Sequence, residues 1–340
     1  MQAGGLDLPK DMVLLPGPNQ PNSSLDRESK NKNREMFFVP DFVFVIEHTA
    51  TGNNYIFDLG MRKDLSHSTP SVIQTQLSNF PSFPKSPVDI LNKYGTASQQ
   101  PCNVKAVIFS HLHFDHIGDA AKHGFRTAEL WIGPSTCASA RPGYPADKNS
   151  RIFTSDLPNN GSKTIIEFSI PSHQLDETRR VAISDAVQKG YYEGINLHEP
   201  ARGWFPLGAF ERVCDLFEDG SAYLIDAPGH MAGRQMVLVR VKTGRIDEFL
   251  LLAGDCFHHP AMLQDPLLTA RPPFSRASMH SNPETAIDTM FRAKRCAEED
   301  NVWVVGAHDF SVLDAVSAEV GEVHGLVLLT EWRENGWKRQ

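Results

Sequence analysis

The stretch KAVIFSHLHFDH, residues 105–116, places His111, His113, Asp115 and His116 within six positions directly behind a short apolar run. The apolar half has the composition of a buried strand. In an extended chain, residues two apart point the same way, so His111 and His113 face one common point. The chain must then turn, and Ile117-Gly118-Asp119-Ala120-Ala121 reads as the start of a helix. The turn presents Asp115 and His116 to a neighbouring point. This spacing suits two metal ions side by side rather than one closed structural site.

Three later segments repeat the design of a short apolar strand ending on a metal-binding side chain. They are AYLIDAPGH (222–230), EFLLLAGD (248–255) and VWVVGAH (302–308), which end on His230, Asp255 and His308. A lone histidine is usually a core or surface residue. A dense cluster at one strand end, followed by three more strand ends carrying His or Asp, is a metal centre by its pattern. His48, His67, His123, His173, His198, His280 and His324 lack such a setting and read as structural or surface residues.

Composition bounds the rest. The chain has 340 residues, enough for a large core. The formal net charge is −8 and no basic stripe occurs, which argues against a nucleic-acid partner. Five scattered cysteines without a CxxC pair argue against a disulfide framework and for a reducing compartment. The first twenty residues do not form a signal peptide, and no run approaches the roughly 20 apolar residues of a membrane helix. The expected location is the cytoplasm, with no membrane partner.

Residues 1–35 are rich in Pro, Gly, Asn and charge and are expected as an N-terminal extension that wraps the surface or stays mobile. The main domain is expected over 36–340. It opens with a strand at 39–48, a turn at 51–54 and a returning strand at 55–60. Helices are expected at 71–77 and 87–94, with the aromatic, proline-rich segment NFPSFPKSP between them. A polar, loop-rich insertion is expected at about 133–215. Residues 281–300 read as a helix capped at Ser281 or Asn282.

HLHFDH resembles the HxHxDH signature of the metallo-β-lactamase superfamily, and Pro-Gly-His230, Gly-Asp255 and Gly-Ala-His308 follow in that family's order. The resemblance implies an α/β fold: a four-layer αββα sandwich with the metals at the sheet edge. It implies His111, His113 and His230 on the first metal, Asp115, His116 and His308 on the second, and Asp255 bridging both. Two zinc ions are the expected cofactors. Mixed nitrogen and oxygen donors also accept manganese or iron.

An aspartate at the bridging position is unlike the antibiotic-degrading branch and similar to the lactonase-type branch and related lactam-opening enzymes. The implied reaction opens a cyclic ester or amide of a small-molecule substrate, by attack of a metal-bridging hydroxide on the carbonyl. Asp115 is the expected proton carrier to the leaving group. Homoserine-lactone hydrolases carry a tyrosine three residues after the bridging aspartate. This chain has His258 there, as the expected assistant to the developing oxyanion. Asp58, Asp119 and Asp309 are candidate supports for the ligands. The segment NFPSFPKSP and the insertion are expected to line an apolar pocket. Two rival reactions suit related scaffolds: thioester hydrolysis on an acyl carrier or small thiol, and oxidation by a mononuclear iron dioxygenase. The latter tend to lack the complete second ligand set.

Overall fold

Alternation along the strands sorts side chains into three apolar layers. At 106–108, Ala106 and Ile108 join one buried cluster and Val107 joins another. At 250–253, Leu250 and Leu252 enter the first cluster while Leu251 and Ala253 enter a third. Period-two patterning of this kind means sheets covered on both faces.

The computed structural model describes residues 1–16, 34–120, 124–317 and 322–338. Its strands are β1 (Gln2–Pro9), β2 (Met36–Phe42), β3 (Phe44–His48), β4 (Asn53–Phe57), β5 (Ser82–Pro84), β6 (Val104–Ile108), β7 (Glu129–Ile132) and β8 (Ile165–Phe168). They continue with β9 (Ile195–His198), β10 (Phe205–Leu207), β11 (Phe210–Asp215), β12 (Ala222–Asp226), β13 (Gln235–Lys242), β14 (Glu248–Gly254) and β15 (Val302–Gly306).

One six-stranded sheet has the order β3-β4-β6-β7-β8-β9 and the other β10-β11-β12-β13-β14-β15. The cluster holding Phe57, Ile108, Leu224, Leu252 and Val305 lies between their facing sides. The outer face of the first sheet buries Ile56, Val107 and Leu130 against Leu91 of the helix Pro87–Tyr94. The outer face of the second buries Ile225, Leu251 and Val304 against Ile287 and Met290 of the helix Pro283–Ala297. Helix, sheet, sheet and helix are the four expected layers.

The helix Pro283–Ala297 starts as expected: Asn282 caps it by accepting from the Thr285 N–H, with Pro283 in the first turn. The helix Pro87–Tyr94 also falls where expected, capped by Ser86. At 70–77 the helical turns are short and change pitch, running Pro70–Val72 and then Ile73–Leu77. The strand expected at 39–48 is two strands, because the chain breaks at Val43. β2 pairs with β1, and β3 pairs with β4.

Three expectations are corrected. Residues 2–9 do not wrap the surface: β1 is buried, central in a third sheet of order β2-β1-β5, and sets Leu6 and Leu8 into the core. Its alternating Leu6 and Leu8 carry the burial that the surrounding Gly and Pro masked in the composition. Much of the remaining expected extension, residues 17–33, lies outside the described residues. The segment at 133–215 is not merely a loop-rich insertion either. It supplies β8 and β9, which complete the first sheet, and the helix Glu177–Gln188. Residues 117–120 form bends and a turn instead of a helix, and residues 121–123 lie outside the described residues. The five cysteines are all free thiols. Among the described residues, no helix is long and apolar enough to cross a membrane.

Candidate metal centre

Every expected ligand sits just past the C-terminal end of a strand. His111 and His113 follow β6, His230 follows β12, Asp255 follows β14 and His308 follows β15. After His113 the chain closes a tight turn, in which the N–H groups of His116 and Ile117 both donate to the His113 carbonyl at 3.0 Å. That turn carries Asp115 and His116 back over the sheet edge. Two backbone bonds tie the strand ends together. Gln235 N–H donates to the Ser110 carbonyl at 2.8 Å, and Ala307 N–H donates to the Gly254 carbonyl at 3.0 Å.

The structure brings all seven residues together. His111 Nε2, His113 Nδ1 and His230 Nε2 form a triangle with sides of 3.0 to 3.1 Å. A second set, Asp115, His116 and His308, has donor atoms within 4.8 Å of one another. Asp255 stands between the sets. Its Oδ2 lies 3.7 Å from His111 Nε2 and 3.4 Å from His230 Nε2. Its Oδ1 lies 3.0 Å from His116 Nε2 and 3.3 Å from His308 Nε2.

The residues fit a pair of cations. Three ring nitrogens this close cannot all carry protons without clashing. His116 Nε2 and Asp255 Oδ1 are fully buried and find no hydrogen-bond partner of good geometry. Orphaned buried groups of this kind are costly unless something else satisfies them. Burial first, and then neighbouring imidazoles, holds His111 and His230 well below the usual histidine range, and burial brings His113 to about 4. The first set therefore offers neutral rings with free lone pairs, as metal ligation requires. Burial also opposes charge on His116 and His308. Asp255 and Asp58 outweigh it at His116, and Asp255 with Asp115 lifts His308 to about 9.

A second ring of contacts aims the ligands. Ser110 Oγ lies 2.9 Å from His111 Nδ1 and donates to Asp58 at 2.7 Å. Asp58 Oδ2 accepts from His116 Nδ1 at 2.8 Å, and the Pro40 carbonyl accepts from His308 Nδ1 at 2.8 Å. Asp58 adopts a left-handed backbone with φ of 64°, which turns its carboxylate under the ligand loop. Such outer partners fix the tautomer and orientation of a ligating imidazole. Asp119 instead faces Arg62, and Asp309 caps the helix Phe310–Val316.

Sequence reasoning missed His280, which is not a solitary structural residue. It is buried, and its Nδ1 lies 3.1 Å from His230 Nδ1. His230, His258 and His280 form a third group of closely spaced donors. His258 itself reaches Asp255 Oδ2 with Nε2 at 3.1 Å. Asp41, inside β2, was also passed over. It is fully buried, and both its oxygens lack partners.

A cavity of about 440 Å³ opens onto the centre, with His113, Asp115, Asp255, His258 and His308 on its floor. Its walls are not the apolar lining expected. Phe80 and Asn79 come from the aromatic, proline-rich segment, but Leu6 and Leu8 come from β1. The 133–215 segment contributes Arg151, and the loop before the helix Pro283–Ala297 contributes Arg276 and Met279.

Comparison with known proteins bears on the fold and the family. Among curated proteins, the chain is 27% identical over 323 residues to "Cytochrome P450 monooxygenase mpaDE" of Penicillium roqueforti, covering 88% of this chain and 32% of that protein. It thus spans about a third of that relative's length. It is 25% identical over 336 residues to "Gamma-lactamase FDB1" of Fusarium pseudograminearum, covering 87% of this chain and 71% of the relative. Among solved structures, a B. thuringiensis AiiA variant with N-decanoyl-L-homoserine bound at its active site superposes with a TM-score of 0.57 at 14% identity. That match covers 93% of this chain and 94% of the other, and it speaks for the fold. Residues 38–136, which contain the HLHFDH motif, match the family described as the Metallo-beta-lactamase superfamily. The chain carries a metallo-β-lactamase superfamily domain.

Proposed function

We propose that this chain is a dinuclear metal-dependent hydrolase that opens a cyclic ester or cyclic amide. The observation that carries the reading is the placement of Asp255, whose two oxygens face separate ligand sets. A carboxylate so placed suits two cations a few ångströms apart. The ligand assignment is that of the sequence: His111, His113 and His230 for one ion, Asp115, His116 and His308 for the other, Asp255 for both. The all-nitrogen and oxygen donor set favours zinc. The γ-lactamase among the relatives supports a cyclic amide or ester as substrate.

When bound, the ions supply Lewis acidity toward the carbonyl and an activated water nucleophile. The chain's own residues do the rest. Asp115 is ionised: burial opposes the charge, but His308 and His116 outweigh it and lower its pKa. Lining the cavity, Asp115 is placed to take the proton released in attack and return it to the leaving oxygen or nitrogen. His258 donates from Nε2 to Asp255 and holds the orientation in which that carboxylate would meet both ions. That contact gives it a positioning role beside the oxyanion contact expected from the sequence. His230, whose Nε2 faces the other ligands, donates from Nδ1 to His280.

The test is a turnover screen of the zinc-loaded protein on lactones, lactams and thioesters of matched size. Ring opening that chelation abolishes and zinc restores is the expected result. Thioester cleavage without ring opening would move the chain to the rival reaction, and no turnover on any class would overturn the hydrolase reading.

A further inference from the structure

The cavity walls carry a charge bias that the metal centre does not explain. Three arginines line the cavity: Arg34, Arg151 and Arg276. Among the described residues, no carboxylate lines it apart from Asp115 and Asp255 of the metal centre. This occurs in a chain whose acidic residues outnumber its basic ones, 41 to 33. Arg34 is accounted for by Asp11, which accepts from its Nε at 2.6 Å. Arg151 and Arg276 are exposed, and among the described residues neither has an ion-pair partner. Arg151 is close enough to the centre for its charge to help depress the His113 pKa.

Both side chains are open to solvent, so neither guanidinium is committed to a partner inside the fold. Two arginines on the wall of one cavity, drawn from separate segments of the chain, are placed to meet a ligand. The planar guanidinium fork matches a carboxylate in two parallel hydrogen bonds and outlasts competition from water better than a lysine. The rest of the wall has a different character: the half-buried Met12 and Met279, backed by the core residues Leu6, Leu8 and Phe80, offer apolar contact. A volume of about 440 Å³ holds a ring with a substituent of moderate size.

We infer that Arg151 and Arg276 form a subsite for an anionic group on the substrate. The substrate is then a lactone or lactam whose apolar body lies against Met12 and Met279 and whose other end carries a carboxylate or equivalent anion. The inference rests on the hydrolase reading only for the bond that opens. The arginines determine which rings are held, and they fix the ring's orientation by anchoring its far end. They take no part in the bond-breaking itself.

Binding and turnover separate the two claims. The binding probe is 4-(tetrahydrofuran-2-yl)benzoate, which has no hydrolysable bond, compared with the uncharged ketone 2-(4-acetylphenyl)tetrahydrofuran by titration calorimetry on the zinc-loaded protein. The wild type should bind the benzoate about ten-fold or more tighter than the ketone, as expected for a charge-assisted pair. The double variant Arg151→Ala, Arg276→Ala should lose most of that preference, any remainder being attraction of the carboxylate to the zinc ions. Both positions are exposed, so the variant should keep its circular dichroism spectrum. Equal binding of acid and ketone by the wild type, no binding of either, or a preference that the double variant leaves undiminished overturns the subsite. The corresponding γ-aryl-γ-butyrolactone is assayed in parallel. If neither it nor any lactone, lactam or thioester of the turnover screen is cleaved while the benzoate preference stands, the hydrolase reading fails and the anion subsite remains.

Discussion

Asp255 Oδ1 and His116 Nε2 lie 3.0 Å apart, both buried, and neither satisfies the other as a hydrogen bond. They belong to strand ends on different sheets, so the fold itself holds together two buried groups that a cation would satisfy. The Asp255→Ala variant should lose this link between the ligand sets. We expect it to retain one metal ion or none and to lose turnover by about a hundred-fold or more, as for removal of a principal electrostatic group. Elemental analysis and a lactone assay check both effects.

Asp58 acts through His116 and Ser110. Asp58→Asn suits the left-handed backbone there, since asparagine tolerates it. It removes the charge that sets the His116 tautomer. Metal affinity should fall about 10- to 100-fold with the fold retained. Competition against a chelating dye measures this, and an unchanged affinity would remove Asp58 from the account.

Asp41 supplies a pH signature. Burial, only partly offset by His308 and His116, raises its pKa to about 8. A group with a raised folded-state pKa contributes stability that is full below the ordinary carboxylate range and is lost as pH rises through the folded value. Asp41→Asn does not titrate. Its stability relative to wild type should therefore improve between about pH 5 and about pH 8. Urea denaturation of chelated protein at both pH values tests this; a constant difference would mean that Asp41 is already ionised in the fold.

Gly254 packs where two ligand segments meet. Its φ is +47°, and a Cβ there would lie 2.9 Å from Ser110 Cβ. Gly254→Ala should displace Asp255 from the His111 side. The expected result is weaker metal retention together with lower thermal stability. A control in the core behaves differently: Leu251→Ala, buried against the helix Pro283–Ala297, should cost about 2–5 kcal/mol while leaving the metal content intact.

The layers and the seven clustered side chains were legible because they follow simple periods. Apolar runs at 105–109, 222–225, 248–253 and 302–305 each end on His or Asp, and a strand end is a fixed point in space. His280 was not legible, since it sits on an irregular loop with no strand ahead of it and meets His230 only across 50 positions of chain. Asp41 was hidden inside an apolar strand, where a carboxylate has no pattern to belong to. β1 was misread because Gly4, Gly5 and Pro9 carry the composition of a loop, while burial there depends on Leu6 and Leu8 meeting β2 and β5. The arginines of the cavity could not be found from spacing, since Arg151 and Arg276 are brought together by loops.

The central claim is that this edge of the sandwich holds two metal ions. Inductively coupled plasma mass spectrometry on zinc-supplemented protein, dialysed free of loose metal, tests it without a known substrate. The account predicts close to two ions per chain, with Asp255→Ala holding one or none. A wild-type protein that retains a single ion, or no transition metal, contradicts it.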